Sequence, residues 1–230
     1  MPPSADDRTR DGLIESLVGD LEPVRPVRPG RVFLAFLAIE SLVVAGASYS
    51  LGVRTDFLAR LADPVYLGVV AVLAVAAAWC ASIAIRLSVP GRDVSGRTGA
   101  LLLATPLLLA TAVVLVQPWG GAWPGWHALM TGCLQCIGVT AVSAAVPWIV
   151  TMVVLSRLAP LNELRVGLFA GVSAFLVGAL VTEVHCAMGS GYHLAVGHYL
   201  PVALLAALTC ALAAAILRLR LRGTDLDARG

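Results

Sequence analysis

Residues 166–185 read VGLFAGVSAFLVGALVTEVH, and Glu183 is the only acidic residue among them. The hydrocarbon core of a bilayer is about 30 Å thick, so one helix needs about 20 predominantly apolar residues to cross it. This stretch has that length, and the chain around it is of the same kind. Of its 230 residues 59% are hydrophobic and 13% are charged, and the mean hydropathy is +0.88. Such a composition predicts an integral membrane protein rather than a soluble domain.

Six apolar runs of this length predict an all-α integral membrane protein, built as a six-helix transmembrane bundle. The runs cover residues 32–51, 66–87, 99–117, 129–155, 166–185 and 199–217. The chain is therefore expected to consist of a cytoplasmic N-terminal segment (1–31), the transmembrane bundle (32–217) and a short polar tail (218–230) that we expect to be disordered. No part outside the bundle is large enough for a soluble active site, so an enzyme is not expected.

Arginine sets the predicted orientation of the bundle. All 16 basic residues are arginine, and only Arg54 and Arg60 fall in loops that follow an odd-numbered run. The positive-inside rule then places both termini on the cytoplasmic side of the membrane. The first apolar run lies behind acidic and proline-rich sequence, so a cleaved signal peptide is not expected. The formal net charge of +2 is scattered along the chain, and direct nucleic-acid binding is not expected either.

The N-terminal segment contains a short amphipathic cytoplasmic helix. Its apolar face is formed by Leu13, Ile14, Leu17, Val18 and Leu21. The opposite face is mostly acidic, whereas helices that bind lipid carry a basic polar face. A cytoplasmic protein with a hydrophobic groove and a basic rim therefore suits this helix better, and packing on the membrane or on its own bundle is the alternative. The following stretch EPVRPVRPGR (22–31) is expected to be an extended spacer.

Three of the five cysteines lie near the predicted outer edge of the bundle. Cys133 and Cys136 open the fourth run and Cys186 closes the fifth, whereas Cys80 and Cys210 lie near inner ends, where packing explains them. Neighbouring antiparallel helices can bring two thiols close enough for a disulfide. On the outer side of the membrane such a bond forms and persists.

Thiolates and imidazoles can also bind a soft or borderline divalent metal, and the sequence leaves both chemistries open. All four histidines of the chain fall on the same predicted outer side. The candidate metal ligands are Cys133, Cys136, Cys186, His185, His193 and Glu183.

Two carboxylates lie inside the predicted spans. Glu40 is near the middle of the first span and Glu183 is one turn from the outer end of the fifth. Ionisable groups at such depth are costly and usually face the bundle interior. At helical spacing Glu183 and Cys186 share one face, where the carboxylate could complete a metal site or tune the thiol. Glu40 is expected to hydrogen-bond a serine or threonine, and a coupling role for it stays open.

Three motifs accompany the spans: LIESLVGDLEPVRPVRP (13–29), RLAPLNELRVGLFAGVSAFLVG (157–178) and EVHC (183–186). Together they resemble the NrsF-type family of bacterial inner-membrane anti-sigma factors. The resemblance implies a negative regulator that sequesters an extracytoplasmic-function sigma factor through its cytoplasmic face and releases it under envelope, oxidative or heavy-metal stress. No required cofactor is expected.

In that family two cysteines near the outer side of the membrane are linked to signal sensing. This pattern falls on Cys186 and on one cysteine of CLQC (133–136). The resemblance favours Cys136, and Cys133 is the alternative because this chain has both.

Two other classes of protein stay open on the sequence. A membrane thiol-disulfide oxidoreductase would also place a CxxC motif at the outer edge, but Cys186 alone cannot supply the second redox pair. A small transporter or metal exporter is a third reading, although the chain shows no convincing inverted repeat and only Glu40 lies near mid-membrane. Deleting residues 1–22 would abolish the function of an anti-sigma factor. The same deletion would leave an oxidoreductase or a transporter largely active. The oligomeric state is open.

Overall fold

The structure, a computed structural model, describes residues 28–89, 125–158, 160 and 162–227, together with scattered positions between residues 12 and 115. Regular structure in this part of the chain is helical, with no strand. Its helices are α1 (Pro29–Leu51), α2 (Phe57–Leu61), α3 (Pro64–Leu87), α4 (Trp126–Leu155), α5 (Glu163–His185), α6 (Gly191–His193) and α7 (Leu200–Asp227), with a π-helical turn, Leu194–Tyr199, joining the last two.

Five helices in the described part are long and apolar enough to cross a membrane. They are α1, α3, α4, α5 and the continuous helix Gly191–Leu219, which comprises α6, the π turn and most of α7. The predicted all-α chain with membrane-spanning helices is thereby confirmed for five of the six runs. The third run (99–117) and the N-terminal amphipathic helix lie outside the described residues, apart from isolated helical positions.

Helix α5 forms the centre of the bundle. It packs against α1, α3, α4 and α7, and 83% of its span is buried, compared with 11% of the α1 span. A Cβ atom at Gly167 or Gly171 would lie 2.6 Å or 2.7 Å from side chains of α7, and one at Gly178 would overlap the Thr140 carbonyl of α4. Small residues let membrane helices approach this closely. Helix α5 is therefore surrounded by protein along most of its length.

Buried polar groups connect α5 to three neighbours. The hydroxyl oxygens of Thr140 on α4 and Thr182 on α5 are 2.8 Å apart. The Ser173 Oγ atom lies 3.0 Å from Glu40 Oε1 of α1 and 2.8 Å from the Ala77 carbonyl oxygen of α3. Polar side chains inside a span need partners within the protein. Glu40 thus faces the bundle interior and contacts a serine, as the sequence predicted.

The starts of the spanning helices follow local signals. Pro29 and Pro64 lie in the first turns of α1 and α3. N–H groups in a first turn have no partner within the helix, so proline loses no hydrogen bond there. The Asp63 side chain accepts a hydrogen bond of 2.9 Å from the α3 main chain, and Asn162 accepts one of 3.0 Å from the α5 main chain. These caps fix where α3 leaves the loop of residues 52–63 and where α5 begins.

The last helix begins earlier and ends later than the sequence predicted. It starts at Gly191 rather than at residue 199, so His193 and His198 lie within the span. At its other end α7 continues to Asp227, where we expected a disordered tail. Leucine and arginine are good helix formers, and α7 contains no glycine before Gly223, so the helix propagates beyond the apolar run.

Candidate functional site: a buried cysteine and histidine cluster

Three thiols and two imidazoles meet at one end of the bundle, where α4 begins, α5 ends and α6 begins. We call Cys133, Cys136, Cys186, His193 and His198 the Cys/His cluster. All five side chains are buried, with exposed fractions between 0% and 7%. The cluster therefore lies where three helices meet.

His193 is at the centre of the Cys/His cluster. Its Nε2 atom lies 3.2 Å from Cys136 Sγ and 3.4 Å from Cys186 Sγ, and these two sulfur atoms are 3.5 Å apart. The other ring nitrogen, Nδ1, is 3.7 Å from Cys133 Sγ. Cys136 rather than Cys133 therefore lies against Cys186, and Cys133 lies on the other side of the imidazole.

Cys186 lies just beyond the helical part of α5. Its backbone is extended, with φ −77° and ψ 123°, although its N–H still donates to the Thr182 carbonyl at 2.8 Å. The helical spacing that we expected to align Glu183 with Cys186 therefore stops one residue short. The Glu183 carboxylate contacts His198 instead.

The π turn brings both histidines to the same place. In an α-helix, residues five apart differ by about 140° around the axis, so His193 and His198 would point to different faces. In a π-helix, hydrogen bonds join residues five apart, which stack one turn above the other. The two imidazole centroids are 5.2 Å apart in an edge-to-face arrangement. Gly197 lets the turn lie against α4, because a Cβ there would be only 3.3 Å from Cys133 Sγ.

His198 is oriented by Glu183. The His198 Nδ1 atom lies 2.9 Å from Glu183 Oε1, and the Tyr199 hydroxyl donates to the same oxygen at 2.6 Å. The second ring nitrogen of His198, Nε2, is buried and has no hydrogen-bond partner within the described part of the chain. An unpaired buried nitrogen is costly. With Nδ1 bonded to the carboxylate, Nε2 is the ring atom that remains for a ligand.

The loop of residues 52–63 is attached to the segment that carries Cys186. The Arg54 N–H donates to the Val184 carbonyl at 3.0 Å, and the Arg54 guanidinium lies 3.5 Å from the Ala187 carbonyl oxygen. His185 Nδ1 lies 2.9 Å from the Gly52 carbonyl oxygen. His185 thus belongs to the attachment of the loop rather than to the Cys/His cluster.

Arg54 is itself held by two neighbours. It donates two hydrogen bonds to the Asp56 carboxylate, at 2.6 Å and 3.0 Å, and its guanidinium carbon lies 5.8 Å from the centre of the Tyr66 ring. The hydrogen bonds from Arg54 lower the pKa of Asp56 from 3.8 to about 2. The Tyr66 hydroxyl donates to the Glu183 carbonyl at 3.1 Å. The loop and the start of α3 therefore both bind to the end of α5 and keep it in place.

A sequence profile of one protein family, described as NrsF, negative regulator of sigma F, matches residues 17–219. The chain belongs to the NrsF family. This NrsF protein is accordingly a negative regulator whose partner is a sigma factor. Searches of curated proteins and of solved structures give no significant match.

In this NrsF protein the structure brings together part of the site that the sequence predicted. Cys136, Cys186 and His193 are in mutual contact, whereas Cys133 contacts only the far side of His193. His198 was missed because the sequence placed it in a loop, and its spacing from His193 is not that of one α-helical face. The predicted sigma-binding residues Leu13, Ile14, Leu17, Val18 and Leu21 lie outside the described residues.

Proposed function

We propose that this NrsF protein is a membrane anti-sigma factor. It holds an extracytoplasmic-function sigma factor at the cytoplasmic face of a bacterial inner membrane and releases it when Cys136 and Cys186 react under oxidative or heavy-metal stress. Family membership supports the sigma-factor partner. The sensing part rests on one observation, the 3.5 Å contact between the Cys136 and Cys186 sulfur atoms.

The arginines support placing the Cys/His cluster on the outer side of the membrane. Each spanning helix has one end that lies away from the cluster. Arginines lie at or next to these ends: Arg31, Arg86, Arg157, Arg165 and Arg218. Lysine and arginine concentrate at cytoplasmic ends. The start of α1, which follows the N-terminal segment, is then cytoplasmic, and the cluster faces a compartment where disulfides form and persist.

Oxidation would turn the contact between Cys136 and Cys186 into a bond. Their sulfur atoms would move from 3.5 Å apart to about 2.05 Å. A peroxide accepts the two electrons, and the two thiol protons leave with its oxygens as two molecules of water. The new bond would join the start of α4 to the end of α5. Because both thiols are buried, the surrounding helices would have to repack.

The loop of residues 52–63 offers a route from Cys186 to the cytoplasmic side. Val184, His185 and Ala187 all contact Gly52 or Arg54, which directly follow α1. A shift of the Cys186 segment therefore acts on the outer end of α1, and the inner end of α1 continues into the N-terminal segment. Such a switch requires the sigma factor to bind one arrangement of the bundle more tightly than the other.

The N-terminal amphipathic helix is the proposed sigma-binding surface. Its apolar stripe, from Leu13 to Leu21, has the spacing of a helix that lies in a hydrophobic groove. Its acidic face suits a partner whose groove has a basic rim.

Co-purification tests the proposed function. The tagged protein is isolated in detergent from cells at rest and after peroxide or cadmium treatment, and any accompanying protein is identified by mass spectrometry. A sigma factor should be present at rest and lost after treatment. Cys136→Ser and Cys186→Ser should retain it after treatment, and deletion of residues 1–22 should prevent its binding at rest.

Cys210→Ser is the matched control, because Cys210 is also buried but contacts the Leu164 carbonyl at the other end of α5. This variant should behave like the wild type. Absence of any sigma factor at rest would overturn the anti-sigma assignment. A sigma factor that wild-type protein retains after both treatments would overturn the sensing role.

A further inference from the structure

We infer that Cys136, Cys186, His193 and His198 form a four-coordinate site for one soft or borderline divalent cation, of which Zn²⁺ is the representative. The site is part of the Cys/His cluster. Any signalling consequence of cation binding rests on the proposed function, whereas the binding is a property of the protein alone. One ligand atom from each of the four residues lies within 4.8 Å of the other three.

Three of the four ligand atoms already form one face of a tetrahedron. With metal–sulfur distances of about 2.3 Å and metal–nitrogen distances of about 2.0–2.1 Å, tetrahedral geometry places ligand atoms about 3.4–3.8 Å apart. The triangle of Cys136 Sγ, Cys186 Sγ and His193 Nε2 has edges of 3.5, 3.2 and 3.4 Å. A slight expansion of this triangle fits it to the ion.

His198 supplies the fourth corner. Its side chain is fully buried, and Nε2 is a buried nitrogen without a hydrogen-bond partner among the described residues. Its Nδ1 contacts the Glu183 carboxylate at 2.9 Å. Histidines that bind metals almost always donate their other ring N–H to a carboxylate or carbonyl, which fixes the tautomer and the ring orientation. The Glu183–His198 pair has this arrangement, so Glu183 is a positioning residue rather than a ligand.

His193 has a corresponding arrangement with a thiol in place of the carboxylate. Its Nε2 faces the sulfur atoms of Cys136 and Cys186, and its Nδ1 faces Cys133 at 3.7 Å. Cys133 is therefore assigned to orienting His193 and not to binding the ion.

The charges and atom types of the site select the class of cation. A buried charge persists when it is paired or bound to a metal. Two thiolates neutralise a divalent ion, and its binding releases the two thiol protons. The four ligand atoms are sulfur and nitrogen, while Glu183 Oε1 is occupied by His198 and Tyr199. Mg²⁺ and Ca²⁺ require oxygen ligands and are not expected to bind.

Titration with Co²⁺ tests this site in the complete, reduced protein in detergent, without a sigma factor. We expect one Co²⁺ per chain, with the absorption of tetrahedral cobalt and a thiolate charge-transfer band, displaced by Zn²⁺ but not by excess Mg²⁺. His198→Ala, Cys136→Ser and Cys186→Ser should each weaken binding at least about tenfold, and Glu183→Gln should weaken it by about 10–100-fold.

Cys210→Ser is the control, since Cys210 is buried near the other end of α5 and lies outside the ligand set. Elution volume and thermal unfolding midpoint show that each variant is folded. Wild-type protein that is folded and binds no Co²⁺ overturns the inference. A folded His198→Ala variant with unchanged affinity and spectrum overturns the four-ligand set.

The two proposals fail separately. If the protein binds no cation but still releases a sigma factor on peroxide treatment, the inferred cation site is wrong and the proposed function stands. If the protein binds Co²⁺ with the expected spectrum but never retains a sigma factor, the cation site stands and the proposed anti-sigma function is wrong.

Discussion

Ser173 on α5 and Glu40 on α1 are joined by a hydrogen bond of 3.0 Å between two buried side chains. In the proposed mechanism α5 leads to Cys186, and α1 leads to the N-terminal segment. A buried polar group in a membrane bundle has no water as a substitute partner. The bond therefore links α5 to the helix that follows the proposed sigma-binding segment, at a point distant from the loop of residues 52–63.

A double-mutant cycle tests this link. Ser173→Ala leaves the Glu40 carboxyl without its partner and should lower the free energy of unfolding by about 1–3 kcal/mol. Glu40→Gln should cost less, because its amide can still donate to the Ser173 hydroxyl. The double variant Glu40→Leu with Ser173→Ala should cost less than the sum of its two single changes. Additive costs, measured by denaturant titration in detergent, would show that the contact contributes nothing.

Close packing at Gly178 gives a second prediction. A Cβ there would overlap the Thr140 carbonyl, so Gly178→Ala should force α4 and α5 apart and lower the free energy of unfolding by about 1–3 kcal/mol. Gly68→Ala is the matched control, because Gly68 is also helical but has no neighbouring atom within 4 Å of an added Cβ. The control should be neutral or stabilising by up to about 1 kcal/mol. Equal thermal unfolding midpoints for the two variants would contradict the packing described for α5.

The sulfur distances predict which disulfide forms. Peroxide treatment of the purified protein should give a Cys136–Cys186 crosslink in wild type and in Cys133→Ser, detected by peptide mass spectrometry without reduction. Cys136→Ser should lose it. A dominant Cys133–Cys186 or Cys133–Cys136 product would contradict the order in which these side chains surround His193.

The attachment of the loop predicts a protease pattern. The Arg54 side chain is 3% exposed and that of Arg60 is 35% exposed, so trypsin should cut after Arg60 in preference to Arg54. Asp56→Asn removes the carboxylate that holds Arg54 and should raise cleavage after Arg54 severalfold. Glu163→Gln is the control, since Glu163 lies 3.8 Å from Arg218 at the other end of α5. Efficient cleavage after Arg54 in wild type would show that the loop is not attached.

The same pair predicts a pH dependence. Arg54 lowers the pKa of Asp56 from 3.8 to about 2 in the folded protein. A lowered folded-state pKa gives a stabilisation that is fully present above the unfolded-state pKa and is lost as pH falls through the folded-state value. The difference in thermal unfolding midpoint between wild type and Asp56→Asn should therefore be constant from about pH 5 to 8 and shrink between 3.8 and about 2. A difference that changes near pH 6 would assign the effect to another group.

Sequence reasoning succeeded where counting along the chain was sufficient. The length and apolarity of the runs predicted five helices that the structure describes. Counting from helix ends also gives the depth of a residue in the membrane, which placed Cys133, Cys136 and Cys186 near one level. Depth does not give the direction in which a side chain points around its helix. For this reason the sequence left Cys133 and Cys136 as alternatives.

The parts that the sequence missed depend on departures from α-helical winding. His198 reaches the Cys/His cluster through the π turn, which α-helical periodicity does not predict. Glu183 and Cys186 were expected to share a helical face, but α5 ends at His185 and Cys186 is extended. Both features lie beside residues that are distant in sequence: Gly197 lies against Cys133, and the Val184 carbonyl accepts a hydrogen bond from the Arg54 N–H.

The π turn at Leu194–Tyr199 also has a mechanical consequence. It fits one more residue into a turn than α-helical winding does, so it acts as a register offset within the last helix. If the extra residue moved along the helix, the segments on either side would rotate by about 100° and slide by about 1.5 Å relative to each other. Such a movement would change the winding of the last helix in discrete steps of one residue. Both histidines stand at the π turn.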